Sequence, residues 1–165
     1  MIQDRDALDA ATALLAACRT QGLKIATAES CTGGLIAGAL TAVAGSSDVV
    51  ERGFVTYTNE AKQEMLGVPA AFFEPGIGAV SEEVARAMAE GAVAHSRADM
   101  AVAVTGIAGP SGATEGKPVG LVHMACAREG RETLHEARVF DGDRAAVRSA
   151  TVRAALAMLL AMARG

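Results

Sequence analysis

Apolar residues recur at helical spacing at Leu8, Ala11, Leu15 and Cys18, and Gly22 follows as a C-terminal stop. The stretch from Leu23 to Ala28 predicts a buried strand, and residues from about 31 to 43 predict a helix. Gly45-Ser46-Ser47-Asp48 reads as a turn, and Gly53-Phe54-Val55-Thr56-Tyr57 as a second buried strand. Asn59 is placed to cap a short helix holding Lys62, Met65 and Leu66. A loop with Pro69, Pro75, Gly76 and Gly78 then leads to Ser81, which caps a longer helix through about 97. Glu82 and Glu83 suit its first turn, where the helix dipole favours negative charge. Met100 to Val104 is a short, fully apolar strand, and Val119 to Ala127 with Thr133 to Phe140 predicts a hairpin around Glu129-Gly130. Val147, Thr151, Ala154 and Met158 give the last helix its inner face. With no repeat and no linker, the alternation predicts one α/β domain over 1–165. It is a three-layer helix/sheet/helix arrangement whose mixed sheet includes an antiparallel hairpin.

A chain of 165 residues is long enough to bury a core without staples. Aromatic residues make up only 3%, with no Trp and one Tyr, so Ala, Val, Leu and Met must fill that core. No apolar run reaches the length of a membrane span, and Met1-Ile2-Gln3-Asp4-Arg5-Asp6 lacks the layout of a signal peptide. A cytoplasmic protein without membrane contact is the expectation. The net charge of −4, with no basic run, argues against nucleic acid as a partner. Three cysteines without C-x-x-C spacing and three dispersed histidines suggest neither disulfides nor zinc. No metal and no cofactor are expected.

The chemistry concentrates in Thr27-Ala28-Glu29-Ser30-Cys31-Thr32-Gly33-Gly34. A hydroxyl and a thiol stand side by side where a strand gives way to a helix. Backbone amides there lack intrahelical partners, so the junction suits an alkoxide or an oxyanion. The plainer account is an N-cap serine followed by glycines that allow close packing. Lys62 is the second candidate. Capped by Asn59, it falls in the first helical turn, where the dipole disfavours an ammonium, while Glu60 acts in the opposite sense. A lysine serving as a base near neutrality must lose roughly 4 kcal/mol relative to an ordinary pKa near 10.4. The dipole supplies only about 0.3–1 kcal/mol, so burial must supply the rest. A solvated surface lysine is the competing account. Tyr57 reads either as a core-filling strand aromatic or as a proton relay.

The segment from Thr105 to Gly120 begins where a buried strand ends, the usual position for ligands of α/β sheets. Its glycines let amides approach an anion, although Pro118 and the glycine spacing rule out a P-loop. Arg144 and Arg148, four apart at a helix start, can fork onto a phosphate or carboxylate, or serve in surface salt bridges. Ser30 lacks a G-x-S-x-G setting and an S-x-x-K, no histidine completes a triad, and nothing links Cys31 to His123. By elimination Ser30 with Lys62 is the best internal dyad.

Six blocks, in order, carry a resemblance. They are Ala28 to Gly34, Gly53 to Lys62, Gly78-Ala79-Val80-Ser81, Thr105-Gly106-Ile107-Ala108-Gly109-Pro110, Lys117-Pro118-Val119-Gly120 and Phe140 to Arg148. Over about residues 5–160 the chain resembles the CinA C-terminal-domain family, in the stand-alone form of the nicotinamide-nucleotide amidases. Longer relatives carry a molybdopterin-binding-like domain ahead of it. The resemblance implies hydrolysis of the carboxamide of nicotinamide mononucleotide to nicotinic acid mononucleotide and ammonia. It implies Ser30 as nucleophile, Lys62 as base and Tyr57 as their neighbour, with Thr105 and either Arg144 or Arg148 lining the site. Beside it stand two assignments read from the residues. The amides of Cys31, Thr32 and Gly33 would hold the oxyanion, and the 105–118 loop, Thr105 and Gly106 included, would take the phosphate with Arg144 or Arg148. The alanine-rich surface favours a homo-oligomer. The rival is a non-catalytic nucleotide-binding or regulatory module related to competence/damage-inducible CinA, with thiol chemistry at Cys31 a further alternative.

Overall fold

Asp4 opens the first helix by accepting the Ala7 amide at 3.1 Å. The computed structural model describes residues 4–165, so the reading of Met1, Ile2 and Gln3 lies outside the described residues. Helix α1 runs Arg5–Gln21 and ends at Gly22, whose φ of 67° is a left-handed turn that glycine adopts without strain. Strand β1 (Ile25–Glu29) is buried throughout. The expected helix from 31 starts later, as α2 (Leu35–Thr41), because Ser30 to Gly33 first closes a turn through the Gly33 amide and the Ser30 carbonyl. A single 3-10 turn at Ser46–Asp48 leads into β2 (Val50–Val55). Helix α3 spans Asn59–Leu66 and α4 spans Glu82–Ala94, the latter capped by Ser81 as expected. Strands β3 (Met100–Gly106), β4 (Leu121–Arg128) and β5 (Leu134–Val139) precede the closing helix α5 (Arg144–Arg164).

The five strands form one mixed sheet in the order β2-β1-β3-β4-β5. Strand β1 pairs in parallel with both β2 and β3, while β4 and β5 complete it as the expected antiparallel hairpin. The α/β, helix/sheet/helix expectation holds. Strand β2 corrects one detail. It starts and ends earlier than the pattern suggested, and it lies at the sheet edge with only Phe54 of its residues buried. A strand with one neighbour leaves its other side to solvent, and no local pattern reveals that position.

The two faces of the sheet are unlike. Ile25, Met100, Val102, Val104, Val122 and Met124 pack beneath α1, α2 and α5. Ala26, Ala28, Ala101, Ala103, Ala125 and Ala127 face α4. Alternation along each strand sorts the residues in this way. Small side chains let α4 lie close on the strands, which is how a chain almost without aromatics fills its core. Helix α5 is, by length and composition alone, long and apolar enough to cross a membrane. Its apolar positions, Val147, Leu156 and Leu159 among them, are instead buried in the first core.

Close approach also governs α3 against α4. A Cβ on Gly91 would stand 2.0 Å from the Leu66 carbonyl oxygen, backbone against backbone. Gly91→Ala is therefore expected to destabilise the fold by about 1–3 kcal/mol. Urea unfolding reads this directly, and an unchanged midpoint would show that the two helices separate freely.

Candidate active site

The parallel strands end together, and the strand order places β1 between β2 and β3, a crevice-forming arrangement. Ser30 follows β1 directly, its amide donating to the Val104 carbonyl at 3.2 Å. Thr56 and Tyr57 follow β2, while Thr105 and Gly106 end β3. Ser30 thus follows a strand that is paired on both sides.

Glu29, the last residue of β1, is fully buried and organises the turn into α2. Its carboxylate accepts the Thr32 hydroxyl at 2.5 Å and the amides of Gly34, Ile36 and Ala37 at 3.2, 3.0 and 2.9 Å. These are orphan donors of the α2 start, and the helix dipole favours the negative charge. The expected oxyanion donors are correspondingly fewer. The Gly33 amide is spent on the Ser30 carbonyl, whereas the amides of Cys31 and Thr32 have no backbone acceptor among the described residues.

Lys62 is not a surface lysine: only 1% of it is exposed. Its Nζ lies 3.0 Å from Ser30 Oγ and donates to the Thr56 carbonyl at 2.9 Å. Both partners are neutral, and burial pushes the amine below the ordinary lysine value, with the Cys31 thiol acting weakly in the other sense. The cap of α3 is Thr58 rather than Asn59, its hydroxyl accepting the Ala61 amide at 3.0 Å. Lys62 therefore sits one position further from the helix start, and desolvation rather than the dipole perturbs it. The displaced Asn59 lines the cavity instead.

That cavity, of about 230 Å³, brings together Ser30, Cys31, Tyr57, Lys62, Thr105, Gly106 and Arg144. Ala79, Val80 and Ala108 supply further wall. Thr32, Gly33 and Arg148 do not border it. Tyr57 is 58% exposed rather than core-filling, and its hydroxyl accepts from Arg144 Nη2 at 3.0 Å. Arg144 also donates to the Gly109 carbonyl at 2.9 Å. A second cavity of about 480 Å³ shares Ala108 and Arg144 with the first and adds Arg148, Pro110 and Val119. Arg148 reaches backbone instead of solvent, donating to the carbonyls of Cys31 at 3.1 Å and Thr32 at 3.2 Å.

Thr105 Oγ1 donates to the Ala79 carbonyl at 2.8 Å, tying the end of β3 to the wall before α4. Gly106 tolerates no side chain, since a Cβ there would stand 2.8 Å from the Leu121 carbonyl oxygen. Only the first half of the 105–118 loop reaches the site. Lys117 turns away and donates to the Ile77 carbonyl. Burial pushes the Cys31 thiol up to about 11, which leaves little thiolate near neutrality. His123 and His135, on the two strands of the β4–β5 hairpin, meet with Nδ1 2.9 Å from Nε2, but among the described residues no group of three or more ligating side chains forms a metal set.

Sequence reasoning missed Glu29, Asn59 and the Ala79-Val80 wall. For Glu29 a signal existed: a lone carboxylate inside an apolar strand, next to a helix start that needs acceptors.

Comparison with known proteins agrees with this architecture. A family model described as CinA C-terminal domain matches residues 8–163. A CinA-like protein of Akkermansia muciniphila is 56% identical over 140 residues, covering 85% of this chain and 34% of the relative. The chain spans about a third of the length of that and similar relatives. The nicotinamide-nucleotide amidohydrolase PncC of Pseudomonas putida is 54% identical over 137 residues, covering 83% of this chain and 84% of that protein. The crystal structure of the competence/damage inducible protein CihA from Agrobacterium tumefaciens superposes with a TM-score of 0.94 at 52% identity, covering 98% of each chain. With its fold, its ordered sequence blocks and its full-length match in agreement, the chain belongs to the CinA C-terminal domain family.

Proposed function

We propose that the chain is a nicotinamide-nucleotide amidase, a single domain that hydrolyses the carboxamide of nicotinamide mononucleotide to the nicotinic acid nucleotide and ammonia in the cytoplasm. The observation that carries the proposal is Lys62: a buried amine 3.0 Å from Ser30 Oγ, with a carbonyl as its other partner. Burial favours the neutral form of an amine so placed, the form that takes a proton from Ser30. The name of the Pseudomonas putida relative supports the substrate.

In this reading Lys62 removes the Ser30 proton as Oγ attacks the carboxamide carbon. The amide of Cys31, which lines the cavity, receives the oxyanion, a well-placed donor of this kind being worth about 2.7–4 kcal/mol. Lys62 then returns the proton to the departing nitrogen, and ammonia leaves an acyl-Ser30 ester. Water, deprotonated by the same amine, releases the acid and restores Ser30. The smaller cavity takes the nicotinamide ring, with Tyr57, Asn59, Thr105 and Gly106 around it. Arg144, shared by both cavities, faces the phosphate, which occupies the second. No cofactor enters the scheme. Exposed Val55, Leu134 and Val139 on the two outer strands fit assembly into a homo-oligomer.

Ammonia release by wild type and Ser30→Ala tests the proposal. Wild type should turn over, and Ser30→Ala should bind the nucleotide while losing roughly 10⁴-fold or more in rate. Nucleotide binding without turnover by the wild type would replace the amidase with a sensor.

A further inference from the structure

We infer that Arg148 is a positioning residue that holds the turn carrying the Cys31 amide next to Ser30, rather than a ligand for the phosphate. The inference rests on the Ser30 amidase reading. Arg148 Nε and Nη2 donate to the carbonyls of Cys31 and Thr32, consecutive residues of the turn. In a planar trans peptide the N–H of one residue points opposite to the C=O of the residue before it. Fixing the Cys31 carbonyl on the guanidinium therefore turns the Thr32 amide away from Arg148. The Thr32 carbonyl, held by the same guanidinium, points the Gly33 amide the opposite way, onto the Ser30 carbonyl at 3.0 Å, and that bond in turn fixes the Cys31 amide that lines the cavity.

Guanidinium and turn are in close contact. A Cβ added to Gly33 would meet Arg148 Nη2 at 3.6 Å. Arg148 borders the second cavity but not the one holding Ser30, so it grips the turn from behind. Its neighbour Val147 is fully buried, which makes α5 a firm anchor for that grip. Glu29 holds the turn's far end through the Thr32 hydroxyl and the Gly34 amide. Between the two grips, the Cys31 amide that borders the cavity is left without a backbone acceptor among the described residues. A planar fork spanning two carbonyls is a task that lysine, with a single ammonium, does not reproduce.

The test compares Arg148→Ala and Arg148→Lys with wild type on nicotinamide mononucleotide and on its phosphate-free riboside. Misplaced donors should lower kcat about 10- to 100-fold. The factor should be the same for both substrates, with KM unchanged. A loss confined to the phosphorylated substrate, or carried by KM, would make Arg148 a phosphate ligand and overturn the inference. A second arm needs no nucleotide: inactivation by diisopropyl fluorophosphate, in which Ser30 Oγ displaces fluoride from phosphorus and its proton passes to Lys62. Both variants should be labelled more slowly by a similar factor, and labelling at the wild-type rate overturns the inference. If wild type is labelled at Ser30 but releases no ammonia, the amidase reading fails while this arm still decides the role of Arg148. Wild type that is neither labelled nor active overturns both.

Discussion

Lys62→Met is expected to release ammonia about 10²–10⁴-fold more slowly than wild type, the span associated with loss of a positioned general base. Methionine fills the volume of the buried lysine stem but has no basic nitrogen. Lys62→Arg should fail equally, because a guanidinium keeps charge and hydrogen-bond donors yet cannot take a proton from Ser30. The pair separates proton transfer from packing, and an arginine variant with wild-type rate would remove Lys62 from the base role. The pH profile supplies a second check. Burial lowers the Lys62 pKa below the ordinary value of 10.5. Activity requires the neutral amine, so kcat/KM should rise with pH along a limb whose midpoint lies below 10.5, and that limb should vanish in both variants. Stability has the same sign. Between its folded and unfolded pKa values Lys62 binds more protons in the unfolded chain, so its contribution is unfavourable at low pH. That penalty is relieved as pH rises through the interval. Unfolding midpoints of wild type and Lys62→Met should therefore converge toward alkaline pH.

The second large effect is expected at Glu29. Glu29→Ala strands a hydroxyl and three backbone amides that now converge on one carboxylate. Leaving buried donors unpaired is expensive, and a destabilisation of about 3–5 kcal/mol is expected. Glu29→Gln keeps the shape but offers one acceptor oxygen and an amide group that faces other donors, so a smaller loss of about 2 kcal/mol is expected. Urea unfolding of the three proteins provides the measurement. A loss below about 1 kcal/mol for the alanine variant would mean that water satisfies the α2 start just as well.

Much of the fold is written in local signals. Asp4 and Ser81 begin helices through side-chain oxygens that accept backbone amides, Gly22 ends one in a left-handed turn, and the hairpin announces itself through a turn between two apolar runs. Thr58 and Asn59 are adjacent and equally competent caps, so only the built helix shows which one serves. The exposure of β2 comes from its place at the sheet edge, a property of topology that no window of residues contains. The site divides in the same way. Ser30 at a strand-to-helix junction is legible as a candidate. Its approach to Lys62, 32 positions away, is not, because it depends on how α3 docks. Arg144 and Arg148 are equivalent in sequence spacing, yet one faces the shared wall of two cavities and the other grips a turn. The rotation of α5 against the sheet decides between them.

The alanines beneath α4 carry a consequence for the width of the cavity. Ala101, Ala103, Ala125 and Ala127 fix the height at which α4 rests, and its N-terminal end continues directly into the Ala79-Val80 wall opposite Ser30. A methyl group added at any of these positions would lift the helix like a shim under one end of a plank. The wall would then move relative to Ser30, although none of the four residues borders the cavity. The width of the cavity is thus set partly from below the floor, by side chains that never line it and whose smallness is their contribution.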